Sequence, residues 1–255
     1  MVLLFAVTGG LAVGNLYWAQ PLLQVISENL HVAAGHTSIL ITITQLGYAL
    51  GIFLIVPLGD TLNRKRLIPA ILLCSAVALL GCAIASEFYL LCFFMGLLGL
   101  TTVGGGILTP FISEITPAEK RGKIIGTIVS GMLTGILLSR TLSGFVSEYF
   151  GWRSIYYLAT AGTVVLSAVL LAKLPAENVK TKIKYGQLIL SVFSIARGRK
   201  TIRVTLLLGF GVFAVFSSFW TGLTFLLSNA PYFYTTDQIG LIGIAGLAGA
   251  LAARR

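Results

Sequence analysis

Long apolar stretches separated by short polar breaks dominate the chain. Eight of them are long enough to be membrane-spanning helices, because about 20 apolar residues cross a bilayer. They fall at about 2–25, 38–59, 67–86, 88–112, 122–147, 154–173, 204–229 and 238–253. The stretches are continuously apolar and do not alternate at every second position, which indicates helices and excludes a β-barrel. The pattern therefore predicts an all-α, polytopic membrane protein.

Composition excludes most soluble classes of protein. The 255 residues are 56% hydrophobic and 10% charged, whereas soluble domains carry about 25% charged residues. Disordered chains are excluded too, because they need low hydrophobicity and high charge. Three cysteines lie inside apolar stretches, at Cys74, Cys82 and Cys92. Their odd number and their spacing predict neither a disulfide framework nor a metal site.

The basic residues are confined to alternate breaks between the spans. The formal net charge is +10, which in a soluble protein would point to nucleic acid. Here the breaks after predicted spans 2, 4 and 6 and the end of span 8 hold 16 of the 18 lysines and arginines. Because basic loops stay in the cytoplasm, we expect a cytoplasmic N-terminus in a bacterial inner membrane. No nucleic acid partner is expected.

The longest polar break divides the chain into two unequal parts. It predicts an N-terminal six-span half at 1–173, a cytoplasmic linker at 174–203 and two spans of a second half at 204–255. An ordinary long loop is the alternative to a linker. A weak internal repeat favours the division, since residues 11–27 can be laid over 213–229 with Trp18 opposite Trp220. Two similar halves are typical of secondary transporters.

Several short motifs together resemble one family. They are NLYWAQPLL (15–23), TQLGYALGIFLIVPLGD (44–60), PAEKRG (117–122) and GWR (151–153). These motifs resemble those of the major facilitator superfamily, and most of all its bacterial drug and sugar efflux transporters. The resemblance implies two six-span halves that move a small organic solute by alternating access. It implies a carrier and not an enzyme.

The loop after span 2 resembles the conformational latch of that family. Asp60, Arg64 and Lys65 match the charged positions of the family motif. We expect Glu114 to pair with Arg64, and Asp60 to pair with Arg121 or to cap a neighbouring helix. An Asp at the negative end of a helix is unfavourable without such a partner. The alternative is that these charges only set the topology.

Span 5 resembles the glycine motif of the antiporters in that family, with a departure. Gly122, Gly131 and Gly135 fit its spacing, and with Gly144 they predict close helix packing. The family's final glycine pair is replaced by Ser139 and Arg140. This departure leaves proton coupling open, as does the lack of an acidic residue in the middle of any predicted span. No cofactor and no metal are expected.

Arg140 is the charged residue predicted to lie deepest inside a membrane span, in span 5. A central arginine costs about 2.5–3.5 kcal/mol even on the permissive insertion scale, so it should face the interior of the bundle. It could bind an anionic group of the substrate, form a gating contact, or tie the helices together as a purely structural residue. The residues predicted to line the substrate cavity are Asn15, Trp18, Gln20, Gln45, Tyr48 and Arg140.

A membrane protein of this kind can be an enzyme, a channel or a transporter, and each class needs a different pattern of polar residues. A membrane enzyme needs clustered His, Asp or Cys near one interface, and a channel needs polar rings along a pore; the sequence has neither pattern. The leading prediction is a monomeric secondary transporter whose partners are a small molecule and the lipid bilayer. The alternative is a truncated, inactive transporter remnant, because the predicted second half ends after its second span.

Overall fold

A computed structural model describes residues 2–175 and 184–243 of the chain. Within these residues the secondary structure is helical, which confirms the predicted all-α class. The helices are α1 (Val2–Gly14), α2 (Leu23–Asn29), α3 (Ala34–Leu54), α4 (Leu58–Thr61), α5 (Arg64–Ile84), α6 (Phe88–Thr101), α7 (Gly104–Ile115), α8 (Ala118–Phe150), α9 (Arg153–Lys173), α10 (Tyr185–Gly198) and α11 (Lys200–Ser228). A further helical segment covers 236–243.

Six helical stretches among the described residues are long and apolar enough to cross a membrane. They are Gly35–Thr61, Arg64–Ile84, Phe88–Ile115, Ala118–Phe150, Arg153–Lys173 and Lys200–Ser228. They correspond to predicted spans 2 to 7, so a multi-pass membrane protein is confirmed. Helix α8 has 33 residues, which gives a length of about 50 Å at 1.5 Å per residue. It therefore extends well beyond a hydrocarbon core of about 30 Å.

The first predicted span is not one continuous helix. Helix α1 ends at Gly14, residues 15–19 form turns, and a 3-10 helix at Gln20–Leu22 leads into α2. Pro21 lies in the first turn of that short helix, where its missing N–H costs nothing. The first apolar segment, 2–25, is thus a broken helix, and Pro21 lies in the break. Predicted span 8 begins within the segment 236–243, and its remainder lies outside the described residues.

Glycines allow the backbones of α1 and α8 to touch. A Cβ on Gly131 would lie 2.5 Å from the carbonyl oxygen of Ala6, and one on Gly10 would lie 2.6 Å from that of Gly131. Gly135 faces the backbone of Gly10 in the same way. Small residues at such a crossing give the van der Waals contact that holds helices together in lipid. Helices α3 and α6 meet similarly, at Gly47 and Gly99 among others.

The four glycines predicted to pack on span 5 behave differently from one another. Gly131 and Gly135 contact α1, whereas Gly144 contacts the backbone of the segment 236–243 at Thr236 and Gly240. At Gly122 an added Cβ would meet nothing within 4 Å among the described residues, so the close packing predicted there is not found. The backbone of α1 contacts that of α8 at Gly131 and Gly135, and it does not come within 4 Å of a Cβ on Gly122.

Helix α10 lies in the segment predicted to be a cytoplasmic linker. The hydroxyl of Tyr185 donates a hydrogen bond to the carbonyl oxygen of Leu54, at 2.5 Å. The rings of Phe193 and Phe53 meet edge to face, with centroids 5.1 Å apart. These contacts attach α10 to the end of α3. The domain boundaries at 173 and 203 remain predictions, and α11 already begins at Lys200.

Candidate functional site

Arg140 is buried where α8 passes the broken first span. Its side chain is 2% exposed, and that of Gln20 is 1% exposed. The Nε and Nη2 groups of Arg140 both donate hydrogen bonds to Oε1 of Gln20, at 2.9 and 2.7 Å. Nη1 donates to the carbonyl oxygen of Ile136 at 3.2 Å. Within residues 2–175 and 184–243, no acidic side chain forms an ion pair with this guanidinium.

Three aromatic rings surround the same guanidinium, and we call them the aromatic cage. The guanidinium carbon lies 4.3 Å from the ring centre of Trp220, 4.9 Å from that of Tyr17 and 5.1 Å from that of Phe216. All three distances are within the range of cation–π attraction, which contributes about 2 kcal/mol where the cation is desolvated. Tyr17 belongs to the first span, whereas Phe216 and Trp220 belong to α11. The cage therefore joins the predicted N-terminal half to the seventh span.

The centre of the cluster has more hydrogen-bond donors than acceptors. An arginine can only donate, so Gln20 must turn its oxygen toward Arg140. This leaves Nε2 of Gln20 buried with no partner among the described residues. A guanidinium has five N–H groups, and the bonds described above occupy three of those of Arg140. A buried donor without an acceptor costs about 1–3 kcal/mol, so an added acceptor at these N–H groups would be favourable.

The other predicted cavity residues lie around this cluster in different roles. Nε1 of Trp18 donates to Oδ1 of Asn15 at 2.8 Å, and Nδ2 of Asn15 donates to Oγ1 of Thr163 at 3.4 Å. Gln45 and Tyr48 are half-buried on α3, close enough to interact with Tyr17. Nε2 of Gln45 is also without a hydrogen-bond partner within the described residues. Of the six predicted residues, Gln20 and Arg140 are therefore in direct contact, whereas the pair of Asn15 and Trp18 bonds to Thr163 of α9 instead.

The predicted latch residues are only partly brought together. Arg64 donates to Oε2 and Oε1 of Glu114 at 2.8 and 3.3 Å, to Oδ1 of Asp60 at 3.2 Å and to the carbonyl oxygen of Gly59 at 2.6 Å. Its side chain is buried, whereas both carboxylates are half exposed. The ion pair expected between Arg64 and Glu114 is therefore present. It holds the start of α5 against α7.

The pairing suggested for Asp60 and Arg121 is not found. Asp60 pairs with Arg64 instead, four residues along the chain. Nη2 of Arg121 donates to the carbonyl oxygen of Thr116 at 3.4 Å, which places it at the end of α7. The backbone N–H of Lys65 is capped by Oδ1 of Asn63 at 3.0 Å. The pair of Asp60 and Arg121 is absent because Arg64 lies in the same tight turn and forms the ion pair with Asp60 instead.

The sequence did not identify all the residues around Arg140. Tyr17 and Phe216 look like ordinary apolar helix positions, and only folding brings them to the guanidinium. Ser143 was missed as well, although its hydroxyl donates to the carbonyl oxygen of Trp18 at 2.6 Å. A signal for Trp220 did exist, because the internal repeat sets it opposite Trp18 in the first span.

Comparison with known proteins agrees with this architecture. The sequence profile of the Major Facilitator Superfamily matches residues 5–255. The chain is 40% identical over 241 residues to the uncharacterized transporter YgaY of Escherichia coli O157:H7, covering 94% of this chain and 61% of that protein. It is 30% identical over 251 residues to the probable transporter SCO4007 of Streptomyces coelicolor, covering 98% and 58%.

The chain thus spans about six tenths of the length of these curated relatives. Among solved structures, that of a D-xylose–proton symporter superposes with a TM-score of 0.61 at 14% identity, covering 99% of this chain and 67% of the other. At that identity the likeness concerns the fold alone. The profile match extends over nearly the whole chain, and the chain belongs to the Major Facilitator Superfamily of membrane transporters.

Proposed function

We propose that this protein is part of a secondary active transporter that moves a small organic solute by alternating access. The observation that carries the proposal is the buried polar cluster of Arg140 and Gln20 beneath the aromatic cage. Charged groups inside a bundle are expensive and mark substrate or ion pathways. This one lies where the first span, α8 and α11 converge, and with the proposed division of the chain that is between the two halves, where transporters of this type bind substrate.

Alternating access also needs contacts that form on one side of the membrane while those on the other side open. The ion cluster of Asp60, Arg64 and Glu114 lies wholly within the predicted N-terminal half, so it braces that half and does not open between the halves. Between the two predicted halves, Oγ1 of Thr141 on α8 donates to the carbonyl oxygen of Gly240 at 2.9 Å. We propose that this contact opens and closes during transport.

The finer features of the proposal are the direction of transport, the membrane and the orientation. Efflux from the cytoplasm follows from the resemblance to drug and sugar efflux transporters. A bacterial inner membrane with the N-terminus inside follows from the alternation of basic loops. Alkaline phosphatase fused after residue 32 should then be active, and after residue 63 inactive. The reverse pattern would contradict the orientation.

A transport assay tests the function directly. Inverted membrane vesicles from bacteria that produce the chain are supplied with a panel of labelled drugs and sugars. We expect accumulation of at least one compound above that in vesicles without the chain. Equal accumulation across the whole panel would support the alternative prediction, an inactive remnant, against the proposed carrier.

Variants separate transport by this protein from side effects of its production. Arg140→Ala should abolish accumulation at an unchanged protein level, because the polar cluster loses its centre. Arg66→Ala, which removes an exposed arginine at the start of α5, is the matched control and should transport normally. Unchanged transport by Arg140→Ala would refute the assignment of Arg140 to the transport pathway.

A further inference from the structure

The hydrogen-bond inventory around Arg140 points to a missing acceptor. Its cation has no carboxylate partner within the described residues. Its hydrogen bonds end on one amide oxygen and one backbone carbonyl. The amide nitrogen of the same Gln20 is buried and unpaired. Among the described residues, the guanidinium of Arg140 and the amide of Gln20 thus keep N–H groups without an acceptor beside a buried positive charge.

The type of group that would complete this site follows from its donors. A carboxylate has two oxygens and about four lone-pair positions, and it accepts paired N–H groups from a guanidinium. A neutral hydroxyl or amide brings no negative charge, so it would leave the buried cation uncompensated. A cationic solute would be repelled. The cluster therefore favours a ligand with an anionic, planar acceptor.

The surroundings of the donors describe the rest of the ligand. Tyr17, Phe216 and Trp220 present aromatic surface around the guanidinium. Phe216 and Trp220 are only half-buried, and α11 contributes just two buried residues to the described structure, Thr224 and Leu227. The wall formed by α11 is thus the side from which the guanidinium can be uncovered. A ligand that takes the place of these rings needs an apolar or aromatic body.

We propose that Arg140 and Gln20 bind the carboxylate of an amphipathic organic acid, which replaces Phe216 and Trp220 at the guanidinium when α11 moves away. The proposal deepens the transporter function and rests on it for the movement of α11. In the structure described here the rings cover the charge, and in the ligand-bound state the carboxylate neutralises it. The aromatic cage and the solute thus compete for the same cation.

A binding experiment on the purified 255-residue chain in detergent tests this without any transport. Its melting temperature is measured with sodium benzoate, and with benzamide, benzylammonium chloride and sodium chloride at matched concentration and ionic strength. We expect benzoate to raise the melting temperature in a saturable way and the other three to have no such effect. An equal rise with benzamide or with chloride overturns the proposal, and so does no rise with benzoate.

Substitutions at the two donor residues locate the effect. Arg140→Gln should weaken benzoate binding at least tenfold, and Arg140→Lys should weaken it less, because the charge remains but the paired donors do not. Arg66→Gln removes the same charge at an exposed position and should bind benzoate as the unaltered chain does. Undiminished binding by Arg140→Gln would overturn the assignment.

Gln20→Glu provides a test that does not depend on tolerating a lost arginine. The new side chain has almost the same shape and places a carboxylate against Arg140, so it supplies the missing acceptor from within. We expect a higher melting temperature than that of the unaltered chain, and loss of the stabilisation by benzoate. A lower melting temperature, or retained stabilisation, would contradict the proposal.

Transport and binding can fail separately, which keeps the two proposals apart. Saturable benzoate binding without accumulation in vesicles would support the site and contradict the transporter function. Accumulation of neutral compounds with no binding of benzoate would support the transporter function and overturn the site.

Discussion

The close crossing of α1 and α8 gives a prediction whose magnitude follows from the structure. A Cβ on Gly135 would lie 2.5 Å from the carbonyl carbon of Gly10 and 2.6 Å from its Cα, whereas ordinary contact begins at 3.4 Å. The carbonyl oxygen of Gly10 would be closer still, so helix α1 would have to retreat by more than about 0.9 Å, the difference between 3.4 and 2.5 Å. Neither backbone can swing aside as a side chain can. Gly135→Ala should therefore destabilise the protein by about 1–3 kcal/mol, the usual cost of overpacking.

The free cysteines provide the assay for this prediction. Cys82 and Cys92 are buried, and Cys74 is exposed, so a dye that fluoresces on reaction with thiols reports unfolding as the buried pair becomes accessible. At about 2–4 °C per kcal/mol for a chain of this size, the melting temperature should fall by about 2–12 °C. Reductant is removed just before the dye is added, so that disulfide formation does not lower the fluorescence of the dye.

Gly122→Ala is the matched control on the same helix. Its Cβ would meet nothing within 4 Å, and alanine has a higher helix propensity than glycine by about 1 kcal/mol. We expect this variant to melt at or slightly above the temperature of the unaltered chain. If Gly135→Ala melts together with Gly122→Ala, the backbone contact between α1 and α8 is not as described and the reasoning fails.

Two further predictions concern charged side chains at the ends of the spans. Glu114→Gln should lower the free energy of unfolding by about 0.5–1 kcal/mol, because its ion pair with Arg64 is partly exposed. Glu119 is exposed in the first turn of α8, so Glu119→Gln serves as the control in the same thiol-dye assay. Arg153→Ala should cost about 1–2 kcal/mol, since the guanidinium donates to Oδ1 of Asn29 at 2.8 Å and to the carbonyl oxygen of Ala85 at 2.9 Å. A smaller effect than that of Arg66→Ala, measured in parallel, would refute this role.

Much of the fold could be predicted because bilayer thickness and loop charge constrain it strongly. Spans 2 to 7 follow from apolar length alone. The break in the first span could not be placed in this way, because Asn15 and Gln20 leave the helix to meet side chains distant in the sequence. The same holds for the glycines, since Gly122 and Gly135 have identical local character and only the backbone contact of Gly135 with α1 distinguishes them.

In the candidate site, too, features that depend on one residue could be predicted, whereas those that depend on long-range packing could not. The burial of Arg140 could be predicted from its cost in lipid, and the pairing of Arg64 with Glu114 from opposite charges near one membrane surface. The aromatic cage could not, because Phe216 and Tyr17 lie about 200 positions apart in the sequence and neither carries a polar signal. Long-range packing decides which rings a buried cation meets.

The glycines of α8 have a mechanical consequence. Nine residues separate Gly135 from Gly144, and at about 100° per residue that spacing turns the helix by about 900°, which is two full turns and a half. The two glycines therefore lie on opposite faces of α8, which contacts α1 on one face and the segment 236–243 on the other. In the proposed transport cycle, the segment 236–243 can therefore move on one face of α8 without disturbing the backbone contact with α1 on the other face.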